Sequence, residues 1–139
     1  MRFMVLVKAN EESESGKLPS AELLADMQRF NEELVKAGVM LAGEGLRPSS
    51  KGVRVRFDAG NRTVIDGPFT ETKELVAGFW LWQCRSRDEA IEWLKRAPFQ
   101  EGEVEIREIA ELEDFALVDP SGELRAEEER LRAQIEERK

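Results

Sequence analysis

The 139-residue chain has no histidine. That excludes Ser-His-Asp and Cys-His catalysis, histidine metal sites and histidine general bases. It has one cysteine, Cys84. An internal disulfide is therefore excluded, as is a thiolate zinc or iron–sulfur site within one chain. A lone thiol suits a reducing compartment. No apolar run approaches the roughly 20 residues that span a bilayer. The start "MRFMVLVKAN" lacks the length and cleavage pattern of a signal peptide. The expected location is the cytoplasm. Basic residues are outnumbered, with 21 Lys and Arg against 29 Asp and Glu, a net charge of −8. This argues against a nucleic-acid backbone or an anionic membrane as partner. What remains is chemistry by carboxylates, Lys, Arg, Ser/Thr and one thiol. It calls for no cofactor and no metal.

The length fits one core. "FMVLVK" (Phe3–Lys8) reads as a strand buried on both faces, and "ANEESESGKL" as a polar loop. "PSAELLADMQRFNEELVKAGV" reads as a helix capped by Ser20 and ended at Gly38. Leu23, Met27, Phe30 and Leu34 form its apolar face. "VMLAGEGL" (Val39–Leu46) is a second strand. "VRVRFD" (Val53–Asp58) and "NRTVID" (Asn61–Asp66) read as a hairpin. Its alternating arginines, Arg54 and Arg56, mark a solvated face. "LVAGFWLWQCRS" carries Phe79 and Leu81 on one face and Trp80 and Trp82 on the other, as a covered central strand would. "SRDEAIEWLKRAPF" is a helix opened by a capping box of Ser86 and Glu89. "EVEIREI" alternates as an edge strand.

The order is β-α-β-(hairpin)-β-α-β, an α+β, ferredoxin-like pattern with an antiparallel sheet. Two helices cover one face of such a sheet, yet two strands are apolar on both faces. A second copy packed sheet to sheet resolves the mismatch, so a homodimer is expected. Residues 1–110 form this domain. Residues 111–139 are a charged arm and helix, with Phe115–Val118 as an apolar patch and Leu124, Leu131 and Ile135 as the only apolar stripe.

The stretch "DGPFTETKE" (Asp66–Glu74) sets a turn and dense charge beside the aromatic strand. Two readings fit Asp66. It is a general base or ligand acceptor at a strand end, or the acceptor of a local turn. Lys73 fits either an anion contact or a surface ion pair. Glu71 and Glu74 are further candidate ligand contacts on the same loop. Glu44, between Gly43 and Gly45, is placed to face a cleft, or to sit in solvent at a bulge. Its spacing matches no metal motif. Trp80 fits a ligand pocket or the core. Cys84 in a strand, without a histidine, reads as an inert thiol.

"DGPFTETKE" followed by "LVAGFWLW" resembles the YCII-related family, in the subgroup named for its DGPF motif. "GEGLRP" (Gly43–Pro48), "DEA" (Asp88–Ala90), "AP" (Ala97–Pro98) and "VEIREI" extend the resemblance along nearly the whole chain. The resemblance implies a dimeric α/β-barrel with a ligand cleft near the sheet–sheet interface. Most such members have no established activity, and some relatives act on small, often ring-shaped organic molecules. Shorter relatives carry a histidine and an aspartate regarded as catalytic, and this chain has no histidine to match. Members also occur beside sigma-factor genes. Together these readings give a small-molecule-binding protein, with Asp66 and Lys73 as candidate acid/base groups and Glu44, Glu71, Glu74 and Trp80 as candidate ligand contacts. The alternative is a non-catalytic regulatory or interaction protein in a sigma-factor or stress circuit.

Overall fold

The Val-rich run at the start and the aromatic run in the middle of the chain pair as neighbours. The computed structural model describes the backbone of residues 1–139 and every side chain except that of Lys73. Strand β1 (Arg2–Lys8) lies antiparallel to β5 (Val76–Gln83) and to β6 (Val104–Glu108), and β2 (Met40–Gly45) lies antiparallel to β5. The sheet order is β2-β5-β1-β6. This is the ferredoxin-like order expected from the sequence, and it is antiparallel throughout.

Register decides which residues share a face. Phe3 pairs with Trp82 and Val5 with Trp80. These four side chains are buried, together with Phe30 and Leu34 of α2 (Ala21–Lys36) and Ala90 of α3 (Arg87–Leu94). Both helices therefore cover the same face. The rings meet edge to face, Phe30 to Trp80 at 5.7 Å between centroids and Phe30 to Trp82 at 6.3 Å. Edge-to-face packing suits the ring quadrupoles. Gly43 is the cross-strand partner of Trp80, and a Cβ there would stand 2.8 Å from the indole ring. The glycine in β2 makes room for the core tryptophan.

The caps follow the sequence with one exception. The Ser20 hydroxyl accepts from Leu23 N–H, and Gly38 takes φ +73° after the last turn of α2. Ser86 caps α3 by accepting from Glu89 N–H. The Glu89 carboxylate does not return to Ser86. It accepts from the Arg85 backbone N–H and Nε at 3.2 and 3.0 Å, and the guanidinium holds its carboxyl below the ordinary pKa. The expected loop "ANEESESGKL" contains a one-turn helix, α1 (Glu11–Glu14). Asn10 and Ser13 exchange side chain-to-backbone bonds there, and these nucleate the turn without an apolar stripe.

Strands β3 (Val53–Asp58) and β4 (Asn61–Asp66) form a separate two-stranded sheet. Ala59 and Gly60 both have positive φ, 47° and 90°. That is the signature of the tight turn matching strand twist. The sequence predicted one solvated face for this hairpin. In the chain as it stands both faces are open, and only Ile65 is half-buried.

Residues 1–108 and 109–139 are two compact units. In the second, α4 (Glu123–Glu137) starts at Gly122, which has no side chain to cap it. Asp119 supplies the missing acceptor. It is buried, and its carboxylate accepts from Leu124 N–H, Arg125 N–H and Arg125 Nε at 3.2, 3.0 and 3.1 Å. No helix among the described residues is long and apolar enough to cross a membrane.

Burial alone would raise the Asp119 pKa, but the donors of Arg125 and Leu124 outweigh it and hold it below the ordinary 3.8. A lowered native pKa gives stability that is complete above that ordinary value and is lost as pH falls through the native one. The helical signal of α4 is therefore expected to be flat from neutral pH to about 5 and to fall below about 4. Asp119→Asn should remove that step and fray the first turn of α4 at neutral pH. Backbone amide shifts of Leu124 and Arg125 followed across a pH titration would check both.

Candidate functional site

The motif Asp66-Gly67-Pro68-Phe69 leaves the hairpin and enters β5. Gly67 N–H donates to Gly52 O at 3.0 Å, and the Gly67–Pro68 bond is cis. A Cβ on Gly67 would fall 1.8 Å from the Ser49 carbonyl oxygen. Only glycine fits that approach. Ser49 is the centre of the joint. Its N–H donates to Glu14 Oε1 at 3.0 Å, its hydroxyl donates to Glu14 Oε2, and its Oγ accepts from Phe69 N–H at 2.9 Å. The Arg54 guanidinium lies 3.7 Å from the centroid of the Phe69 ring and 4.0 Å from Glu71. A stacked guanidinium combines cation–π attraction with apolar cover.

The sequence reading missed Glu14, Ser49 and Phe69, and took Arg54 as a solvated strand charge. Nothing local pointed to them, since Glu14 and Ser49 are 35 positions apart and Ser49 and Phe69 are 20. The one available signal was the crowding of Gly, Pro and Ser at "LRPSSKG" and "DGPF".

The second feature is the sheet face opposite α2 and α3. Met4 and Leu6 of β1 and Phe79 and Leu81 of β5 point there, and all four are half-buried. One row crosses the sheet as Glu105, Leu6, Phe79, Glu44. A parallel row runs Arg107, Met4, Leu81, Ala42. At about 4.8 Å per strand, the two glutamates of the first row stand on the order of 14 Å apart over an apolar floor. Glu105 is paired with Lys8 at 3.2 Å and Arg107 at 3.5 Å. Glu44 is exposed and has no hydrogen bond or ion pair with another described side chain.

The predicted site residues separate. Glu44 edges the floor. Trp80 pairs beside it through Gly43 but points to the opposite, helix-covered face, where its indole N–H donates to Asn31 Oδ1 at 2.9 Å. Strand alternation keeps the two apart. Asp66 is exposed opposite Val53 on the hairpin, and no described side chain bonds it. Glu71 is exposed near Arg54. Glu74 is exposed at the end of the single turn Thr72–Glu74. Lys73 lies outside the described side chains. Two shallow clefts of about 280 and 410 Å³ lie along α3 and α2, and Glu44, Asp66, Glu71, Glu74 and Trp80 line neither. Cys84 is buried, and desolvation, aided by Glu89, pushes its thiol pKa up, against some opposition from the N-terminal amine. It is a core residue without a nucleophile's environment.

Packing and charge make opposite demands on neighbouring residues of the motif. Gly67→Ala is expected to cost about 3 kcal/mol or more, since the loop or the Ser49 turn must move. Asp66→Asn should change stability by no more than about 0.5 kcal/mol. Urea unfolding of the two variants beside the parent would measure both, and equal midpoints for all three would refute the packed joint.

The YCII-related domain model matches residues 1–113. An uncharacterized protein of Rhizobium meliloti (strain 1021) is 34% identical over 115 residues, covering 79% of this chain and 93% of its own. A 5-chloro-2-hydroxyhydroquinone dehydrochlorinase, TftG, from Burkholderia phenoliruptrix AC1100, solved with 2,5-dihydroxybenzoquinone, is 17% identical with a TM-score of 0.46, over 79% of this chain and 94% of that one. With the family model spanning residues 1–113 of 139 and a relative 34% identical over nearly its whole length, the chain belongs to the YCII-related domain family.

Proposed function

We propose that this protein binds a small organic molecule on the sheet face opposite α2 and α3, in a cleft that a second copy closes. The observation that carries this reading is the floor of Met4, Leu6, Phe79 and Leu81 with Glu44 at its edge. A contiguous apolar surface rimmed by charge is a recognition surface rather than a solvated one. The floor suits a flat, largely apolar ligand. Glu44 suits a hydroxyl or an acidic C–H on that ligand, accepting a hydrogen bond or taking a proton once cover has excluded water. That is acid/base chemistry without a cofactor. Asp66 and Lys73, on the motif loop, remain the other candidate acid/base groups.

One observation favours a second reading. Phe115, Leu117 and Val118 are 49%, 95% and 77% exposed in the 109–139 unit. An apolar arm of that kind suits a non-catalytic interaction protein that engages another macromolecule.

A thermal-shift screen against small phenols, quinones and organic acids separates the two. A ligand at 100 times its Kd stabilises the native state by about 2.7 kcal/mol, a rise of several degrees. We expect such a hit for the parent and a reduced shift for Glu44→Gln. A hit of equal size in Glu44→Gln would move the site off the floor. No hit at all, with partner capture that depends on Leu117 and Val118, would establish the second reading. Sedimentation velocity should show a dimer at micromolar concentration that Leu6→Lys weakens. A monomer would overturn the cleft.

A further inference from the structure

The β3–β4 hairpin presents an exposed apolar face. Its register places Val53 beside Asp66, Val55 beside Val64, and Phe57 beside Arg62 on that one face. Val53, Val55, Phe57 and Val64 are 55%, 47%, 69% and 66% exposed. The opposite face is engaged at its base, where Arg54 stacks on Phe69. A two-stranded ribbon alone is marginally stable in water. This one is nevertheless held in a fixed pose by the Gly67–Ser49–Glu14 joint at its foot. It is an arm anchored at its foot, with this face open.

The charge on the open face says what fits it. Along the hairpin from foot to tip the face reads anion, apolar centre, cation: Asp66, then Val55 and Val64, then Arg62. Such a patch is complementary to itself when turned end for end. We propose that the open face docks on the same face of a second copy, about a two-fold axis crossing the strands at the Val55–Val64 pair. That axis sets Asp66 of each copy against the partner's Arg62. It also sets Val53 against the partner's Phe57, and Val55 and Val64 against their own equivalents. Isologous contacts require this self-complementarity. Sheets stack about 10 Å apart, which interdigitated Val and Phe side chains fill. Within one chain the Arg62 guanidinium rests 4.5 Å from the centroid of Phe57. Docking gives it a carboxylate and gives Phe57 an apolar cover. Asp66 gains a partner that its own described side chains do not supply, so the second copy contributes a residue to the surroundings of this candidate acid/base group. The contact itself uses hairpin residues and none of the sheet floor.

Charge reversal on the full chain tests it. Asp66→Arg sets cation against cation, and Arg62→Asp sets anion against anion, twice per pair of copies. Each should weaken one association step in sedimentation velocity by about tenfold or more. The double variant Arg62→Asp with Asp66→Arg restores opposite charges and should recover association to within about threefold of the parent. Circular dichroism should be unchanged in all three, since both residues are exposed. Val55→Lys, on the axis, should abolish the same step without rescue. The proposal is overturned if the single variants associate like the parent, or if the double variant stays as weak as the singles. A dimer lost in Leu6→Lys and untouched by every hairpin variant would overturn the hairpin contact alone and leave the sheet-face cleft standing. A hairpin-dependent dimer untouched by Leu6→Lys would do the reverse.

Discussion

Trp82 sits fully buried where β5 crosses the middle of the sheet, opposite Phe3 and beneath Phe30. Large aromatics of this kind bury on the order of 200 Å² each, about 5 kcal/mol apiece. A shift of one residue in the pairing of β5 would carry Trp80 and Trp82 to the open face and bring Phe79 and Leu81 under the helices. The size difference between those pairs fixes the register, and register fixes everything downstream. It sends Glu44 to the open face, because Glu44 pairs with Phe79 rather than with Trp80. It also puts Gly43 where a side chain would collide with the Trp80 indole. The floor and its edge are by-products of how the core is packed.

Where local chemistry decides structure, the sequence could be read directly. The hairpin bounds, the Ser20 cap and the glycine after α2 all rest on contacts within a few positions, and the structure has each of them. The strand order followed from alternating apolar patterns and the count of helices. The site was less legible. Alternation shows that β5 has two faces but not which one carries a ligand, so Trp80 and Glu44 were both candidate ligand contacts although they point apart. Glu89 read as a reciprocal cap because spacing allowed it, but a neighbouring guanidinium competed and won. The Ser49 joint was hidden because its partners are distant in sequence and no periodic pattern marks them.

The motif that first drew notice therefore has a division of labour. Gly67 and Phe69 are packing residues. Gly67 is pressed on the Ser49 carbonyl, and Phe69 lies under Arg54 and is tied to Ser49 by its N–H. Asp66 sits just outside that joint, anchored in backbone position and free in side chain among the described residues. Such a combination gives a carboxylate a defined address without a defined partner.

The lone thiol has a practical consequence. Cys84 is buried in the core and its ionisation is suppressed by desolvation, so the folded surface is blank to thiol reagents. A cysteine introduced at the hairpin tip, at the floor or on α4 would be the only position to take up a fluorophore or spin label. The surroundings and motion of each element can then be read on the otherwise native chain without first removing its own cysteine.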